Sequence, residues 1–79
     1  MAETLGDRIR IERARLRLSQ TQLGKLVGLS TNAISLMEAG KVDTRASHII
    51  ALAQALGVSA DYLLGLKEDR RIKKPAEAA

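Results

Sequence analysis

The residues of this chain that could carry chemistry are few. There is one histidine, His48, and no cysteine among 79 residues. A lone imidazole without thiolates offers neither a metal-ligand set nor a nucleophile–base pair. Asp7, Asp43 and Asp61 are scattered near the starts of segments, where a carboxylate satisfies helix N–H groups. No His-Glu-x-x-His stretch and no glycine-rich phosphate loop is present. What remains is hydrogen bonding and charge. Within Gln20–Glu38, the uncharged polar side chains Thr31, Asn32 and Ser35 fall outside the apolar positions, and so does Lys25. The expectation is a binding protein, not an enzyme. It has no catalytic residue, no cofactor, no metal and no small-molecule ligand.

The elements that must position these residues follow from composition. Hydrophobic residues make up 46% of the chain, mostly Leu and Ala, and Tyr62 is the one aromatic residue. Strands favour β-branched and aromatic residues, whereas helices favour Ala, Leu and long charged side chains, so the fold is expected to be all-α. A single aromatic residue also argues against folds that stack bases on aromatic platforms. Thirteen Lys and Arg against nine Asp and Glu give +4. That balance suits nucleic acid, and it equally suits an ordinary soluble surface. A chain of this length is one domain, burying roughly 60–65% of its unfolded surface, with no disulfide to staple it. No apolar run approaches the ~18–20 residues of a membrane-spanning helix. Met-Ala-Glu-Thr lacks the basic and apolar regions of a secretion signal, so a cytoplasmic protein without membrane contact is expected.

Caps and glycines divide the chain into five helical segments. The first runs from about Thr4 to Leu16, with Thr4 and Asp7 in a capping arrangement and Leu5, Ile9, Arg13 and Leu16 on one stripe. Ile11 lies off that stripe and is expected at the surface. The second opens with the Ser19–Gln22 capping box, carries Leu23, Leu26 and Val27 inward, and stops at Gly28. The third starts at Ser30 and buries Ala33, Ile34 and Met37. The fourth runs from near Thr44 to Gly57 through Ile49, Leu52, Ala53 and Leu56, with His48 at the surface or partly packed. The fifth begins at Ser59 and carries Tyr62, Leu63 and Leu66. Residues 1–66 form the domain. Residues 67–79 read as a basic, flexible tail.

The second and third segments are joined by a very short turn, which sets two helices at a steep crossing, the helix-turn-helix arrangement. Gly28 supplies a residue tolerant of positive φ in the turn. A glycine inside a helix costs about 1 kcal/mol relative to alanine, so Gly24 implies a close approach of the two helices. Leu23, Val27, Leu29, Ile34 and Met37 are apolar where the pair must face the first helix. The alternative is an arbitrary small helical bundle.

The stretch from Leu5 to Gly65 resembles the lambda-repressor-like, Cro-type (XRE) helix-turn-helix family. The matching pieces are Leu18-Ser-Gln-x-x-Leu-Gly, Gly28-Leu-Ser, Ala33-Ile-Ser-x-Met-Glu-x-Gly40 and Leu52-Ala-x-Ala-Leu-Gly-Val-Ser-Ala-Asp-Tyr-Leu-Leu-Gly65. The resemblance implies a compact five-helix domain that binds double-stranded DNA. Its third helix reads the major groove, usually as a dimer on a palindromic operator, in the manner of a transcriptional repressor.

On that reading, Thr31, Asn32, Ser35 and Leu36 form the base-reading face. Asn32 can pair with adenine, Thr and Ser can donate or accept, and Leu36 departs from the family's polar or basic residue in favour of apolar contact. Gln20, Ser30, Lys41, Arg45 and Arg10 are the phosphate-contact candidates, which position the protein without reading sequence. Arg13 lies on an apolar stripe and Glu38 follows the inward Met37. A buried charge must be paired, and the resemblance also places an Arg and a Glu there, so the two are expected to form a structural ion pair between the first and third helices. One such domain contacts few base pairs, so a homodimer on half-sites ~34 Å apart is expected. Val58, Ala60, Tyr62 and Leu66 are the expected interface. The rival reading is a protein-interaction module of the same fold, such as an antitoxin or anti-repressor partner. An apolar or acidic outward face on the third helix would favour it.

Overall fold

Reciprocal caps open the first two helices. In the computed structural model, which describes residues 3–72, the Asp7 N–H donates to Thr4 Oγ1 and the Thr4 N–H donates to the Asp7 carboxylate, both at 3.1 Å. Ser19 and Gln22 repeat the arrangement at 3.0 and 2.8 Å. Ser30 and Ser59 each accept one N–H, from Ala33 and Tyr62, at 3.0 Å. Each cap satisfies N–H groups that the first turn of a helix leaves without partners. The five helices of the described residues are α1 (Leu5–Arg15), α2 (Gln20–Val27), α3 (Thr31–Glu38), α4 (Ala46–Leu56) and α5 (Ala60–Leu63). The all-α, five-helix expectation holds.

The core is aliphatic. Ile9, Leu23, Ile34, Leu52, Leu56, Val58 and Leu63 are almost wholly buried, with Met37, Ala53 and Tyr62 beside them. α2 and α3 pack most extensively on each other, with α3 resting on α1 and α2 on α4. The close approach of α2 and α3 depends on Gly24, because a side-chain carbon there would collide with the Leu29 carbonyl. Gly28 ends α2 at φ +74° and Leu29 N–H donates to Gly24 O at 2.8 Å, which turns the chain directly into α3. A second contact of this kind is at Gly6, where a side-chain carbon would strike the Met37 and Glu38 carbonyls, so α1 presses its backbone against the end of α3.

Several sequence expectations need correction. Leu16 is the C-cap of α1 and is 40% exposed, and Leu26 is 60% exposed on the outer side of α2. Ile11 is half-buried, not on the open surface. α4 starts at Ala46 with Arg45 as its N-cap, later than Thr44, and Arg45 makes no side-chain capping bond. α5 ends at Leu63, so Leu66 lies beyond it.

Two charged residues that sequence periodicity did not flag are buried in α1, Arg8 and Glu12. Arg8 Nη1 donates to the carbonyls of Tyr62 and Lys67 at 2.8 and 2.9 Å, and Nη2 reaches the Glu68 carboxylate at 3.3 Å. The guanidinium also lies 4.5 Å above the Tyr62 ring. Glu12 accepts from the Tyr62 hydroxyl at 2.9 Å and from Arg15 at 2.7 Å, and Arg70 stands 3.1 Å away. Burial acts most strongly on the Glu12 carboxyl and works to raise its pKa. The Arg15 and Tyr62 hydrogen bonds, with the Arg70 and Arg15 charges, outweigh it and hold the carboxyl below its usual range. Burial, then Glu12 itself, pushes the Tyr62 hydroxyl up.

These bonds also involve the segment after residue 66, which the sequence reads as a basic, flexible tail. Lys67 and Arg70 are tied back onto α1, and the Ser59 N–H donates to Arg70 O at 2.9 Å. The buried charges of α1 need partners, and this segment supplies them. The rest of the expected tail, residues 73–79, lies outside the described residues. No described helix is long and apolar enough to cross a membrane.

Candidate nucleic-acid interface

α3 is short and amphipathic, and its position is set from both ends. Its inner face buries Ile34 and Met37 against the core. At its last residue, Glu38 receives Arg13 Nε at 2.6 Å and Arg13 Nη2 at 3.0 Å, a two-pronged pair. Arg13 Nη1 also donates to Leu18 O at 2.9 Å, so the same guanidinium holds the loop between α1 and α2. The Glu38 hydrogen bond is the main influence keeping the Arg13 guanidinium protonated despite partial burial. Glu38 accepts a third hydrogen bond, from the Gln20 side-chain amide at 3.2 Å. The first residue of α2 is therefore anchored through Glu38 to α1.

With α3 held this way, its outer face carries Thr31, Asn32 and Ser35 in the open, while Leu36 is half-buried. Thr31, Asn32 and Ser35 lie in the first turn and a half, and no described residue accepts from or donates to the Asn32 or Ser35 side chain. Leu36 is partly withdrawn, which reduces the apolar exception that sequence placed on this face. Ser30 spends its oxygen on the α3 cap and keeps its own O–H free to donate.

The cations divide into two groups. Lys41 and Arg45 are exposed in and at the end of the loop after α3, and neither pairs with another described residue. Arg10 is exposed too, but its guanidinium is 3.3 Å from Asp7 on its own helix. Gln20 is half-buried and already donates to Glu38, so its amide is oriented before any ligand arrives.

The expected interface residues do not share one surface. Val58 and Tyr62 are 1% and 5% exposed, sealed into the core because α5 lays its apolar side against α1 and α4. Ala60 is half-buried, and only Leu66, at 72%, is open. Period-based reading recognised an apolar stripe on α5 but could not say whether it faced the core or a partner. Only the folded chain decides it, where the buried Arg8 and Glu12 of α1 both hydrogen-bond Tyr62 from inside.

Two helices joined by a tight glycine turn, with the second presenting a polar face and braced at its far end, define a helix-turn-helix domain. A family model described as a helix-turn-helix domain matches residues 4–64, and the chain belongs to that family. It is similar to repressor protein C2 of Salmonella phage P22, with 42% identity over 62 residues, which are 78% of this chain and 29% of that protein. It is also similar to the HTH-type transcriptional regulator DicA of Escherichia coli, with 31% identity over 94% of this chain and 55% of that protein. The chain thus spans between about a third and about half the length of these curated relatives. Among solved structures it resembles the P22 c2 repressor in a crystal with synthetic operator DNA, with TM-score 0.76 and 41% identity over 80% of this chain and 96% of that one.

Proposed function

We propose that this chain binds double-stranded DNA sequence-specifically, laying α3 in the major groove, and acts in transcriptional repression as a homodimer on a palindromic operator. The observation that carries the reading is the face of α3. Exposed, uncharged Thr31, Asn32 and Ser35 are presented on a helix braced by Arg13–Glu38, with unpaired Lys41 and Arg45 beside it. Base edges in the major groove are read by such side chains, and backbone phosphates are met by such cations. The likeness to the P22 repressor in complex with operator DNA supports the same docking.

In this reading Asn32 hydrogen-bonds a base, Ser35 and Thr31 read neighbouring positions, and Leu36 contacts an apolar edge. Lys41, Arg45, Ser30, Gln20 and Arg10 contact phosphates, Gln20 from a position set by Glu38. The dimer would use apolar side chains left open after α5, Leu64 and Leu66, instead of Val58 and Tyr62. The protein carries out no catalysis and works within the cytoplasm.

Selection of bound fragments from random duplex DNA tests the proposal. The parent should enrich a palindromic motif, and Asn32→Ala should weaken binding by about 1–3 kcal/mol and relax one position per half-site. Enrichment of no motif at moderate salt would remove it.

A further inference from the structure

Thr21, in the first turn of α2, and Thr31, the first residue of α3, meet across the turn with their hydroxyl oxygens 2.8 Å apart. With Gln20–Glu38 at the opposite end, both ends of α3 are tied to the first turn of α2. We propose that Thr21 is a positioning residue for base recognition. Acting through Thr31, it fixes what the first residue of the reading helix presents to a base pair. The inference rests on the DNA-binding reading above.

The chemistry follows from the hydroxyl bridge. A bond between two hydroxyls uses one proton, so the accepting hydroxyl keeps its own O–H for a third group. Holding Oγ1 of Thr31 toward Thr21 also selects one staggered χ1, and the chirality of threonine then fixes the methyl group. Thr31 stands at the first position of α3, so no carbonyl of its own helix lies one turn back to hold its hydroxyl. Without Thr21 the side chain can rotate to offer donor, acceptor or methyl as a base pair demands, and several base pairs are tolerated. With Thr21 it offers one arrangement. Both residues are exposed, so water competes for the bridge in the free protein. In an interface that excludes water the bridge strengthens, and the constraint acts where bases are read.

The experiment measures relative affinity for every single-base change in the motif selected by the parent, using the full chain and Thr21→Val, Thr21→Ser, Thr31→Val and the Thr21→Val/Thr31→Val double variant. Thr21→Val is isosteric and removes the hydroxyl. It should lose about three- to tenfold discrimination at one base pair per half-site, leaving the other positions and the salt dependence unchanged. Thr21→Ser should restore that discrimination, and the double variant should match Thr31→Val, because the first effect passes through the second residue. An unchanged base profile for Thr21→Val overturns the inference. Uniform weakening across all positions also overturns it, since that marks a phosphate contact. A parent that selects no motif overturns this inference and the proposed function together, whereas a parent with a clear motif and an unchanged Thr21→Val profile overturns this one alone.

Discussion

Arg13 and Glu38, 25 residues apart in the chain, form a bidentate ion pair with N···O distances of 2.6 and 3.0 Å, in which the carboxylate side chain is 6% exposed and the guanidinium 17%. The pair joins α1 to the end of α3, and its carboxylate also holds Gln20. A carboxylate this deeply placed is costly without its partner.

Truncating either residue to alanine should therefore destabilise the fold by about 3 kcal/mol, the lower end of the ~3–5 kcal/mol range for buried pairs, because Arg13 keeps some contact with water. Urea denaturation measures it, and a loss below ~1 kcal/mol would remove the structural role. Glu38→Gln keeps the shape but removes the charge and puts an N–H donor where one oxygen accepted from Arg13, so it should break one prong of the pair and weaken DNA binding beyond its effect on stability.

Gly24→Ala sets two effects against each other. Alanine gains about 1 kcal/mol of helix propensity. Its methyl group would collide with the Leu29 carbonyl, which belongs to the turn backbone and cannot rotate away. Overpacking of this kind costs ~1–3 kcal/mol or more. Net destabilisation is expected, together with weakened DNA binding as α3 shifts. A variant more stable than the parent in thermal denaturation would refute the close-approach argument.

Acid should destabilise the protein through Glu12. Its carboxyl is held low in the folded state, so unfolding takes up a proton there. The stability this supplies is complete well above the unfolded value of about 4.3 and is lost as pH falls through that value and the lower folded one. Asp7, held low by the Thr4 backbone and hydroxyl, acts in the same direction. Glu12→Gln should be less stable at neutral pH and should show a shallower loss of melting temperature between about pH 5 and pH 2. A parallel acid limb in parent and variant would contradict this.

Salt dependence should separate the cations. Lys41→Gln and Arg45→Gln should each weaken binding evenly across sequences and lower the slope of log affinity against log salt by about one. Arg10→Gln should lower it less, because Arg10 already has Asp7 3.3 Å away. Equal slopes for all three variants and the parent would place the phosphates elsewhere.

What the sequence determined by itself was local. Ser19 with Gln22, and Ser30 with the N–H of Ala33, are interactions spanning three residues, so cap spacing alone located the starts of α2 and α3. Gly28 and Gly24 were legible because positive φ and close backbone approach demand a missing side chain. From these the helix-turn-helix, and the polar face of α3, could be placed along the chain. Tertiary structure decided which apolar stripes face inward and which charges are satisfied. Val58 and Tyr62 read as a possible surface because helical periodicity shows that a stripe exists without showing what covers it. Nothing in the sequence marks Arg8 and Glu12 as buried, because the partners that draw them inside, Tyr62, Lys67, Glu68 and Arg70, lie 50 or more residues away. The hydroxyl bridge between Thr21 and Thr31 was equally invisible, since two exposed threonines meet only once the turn at Gly28 has folded α3 back across the start of α2.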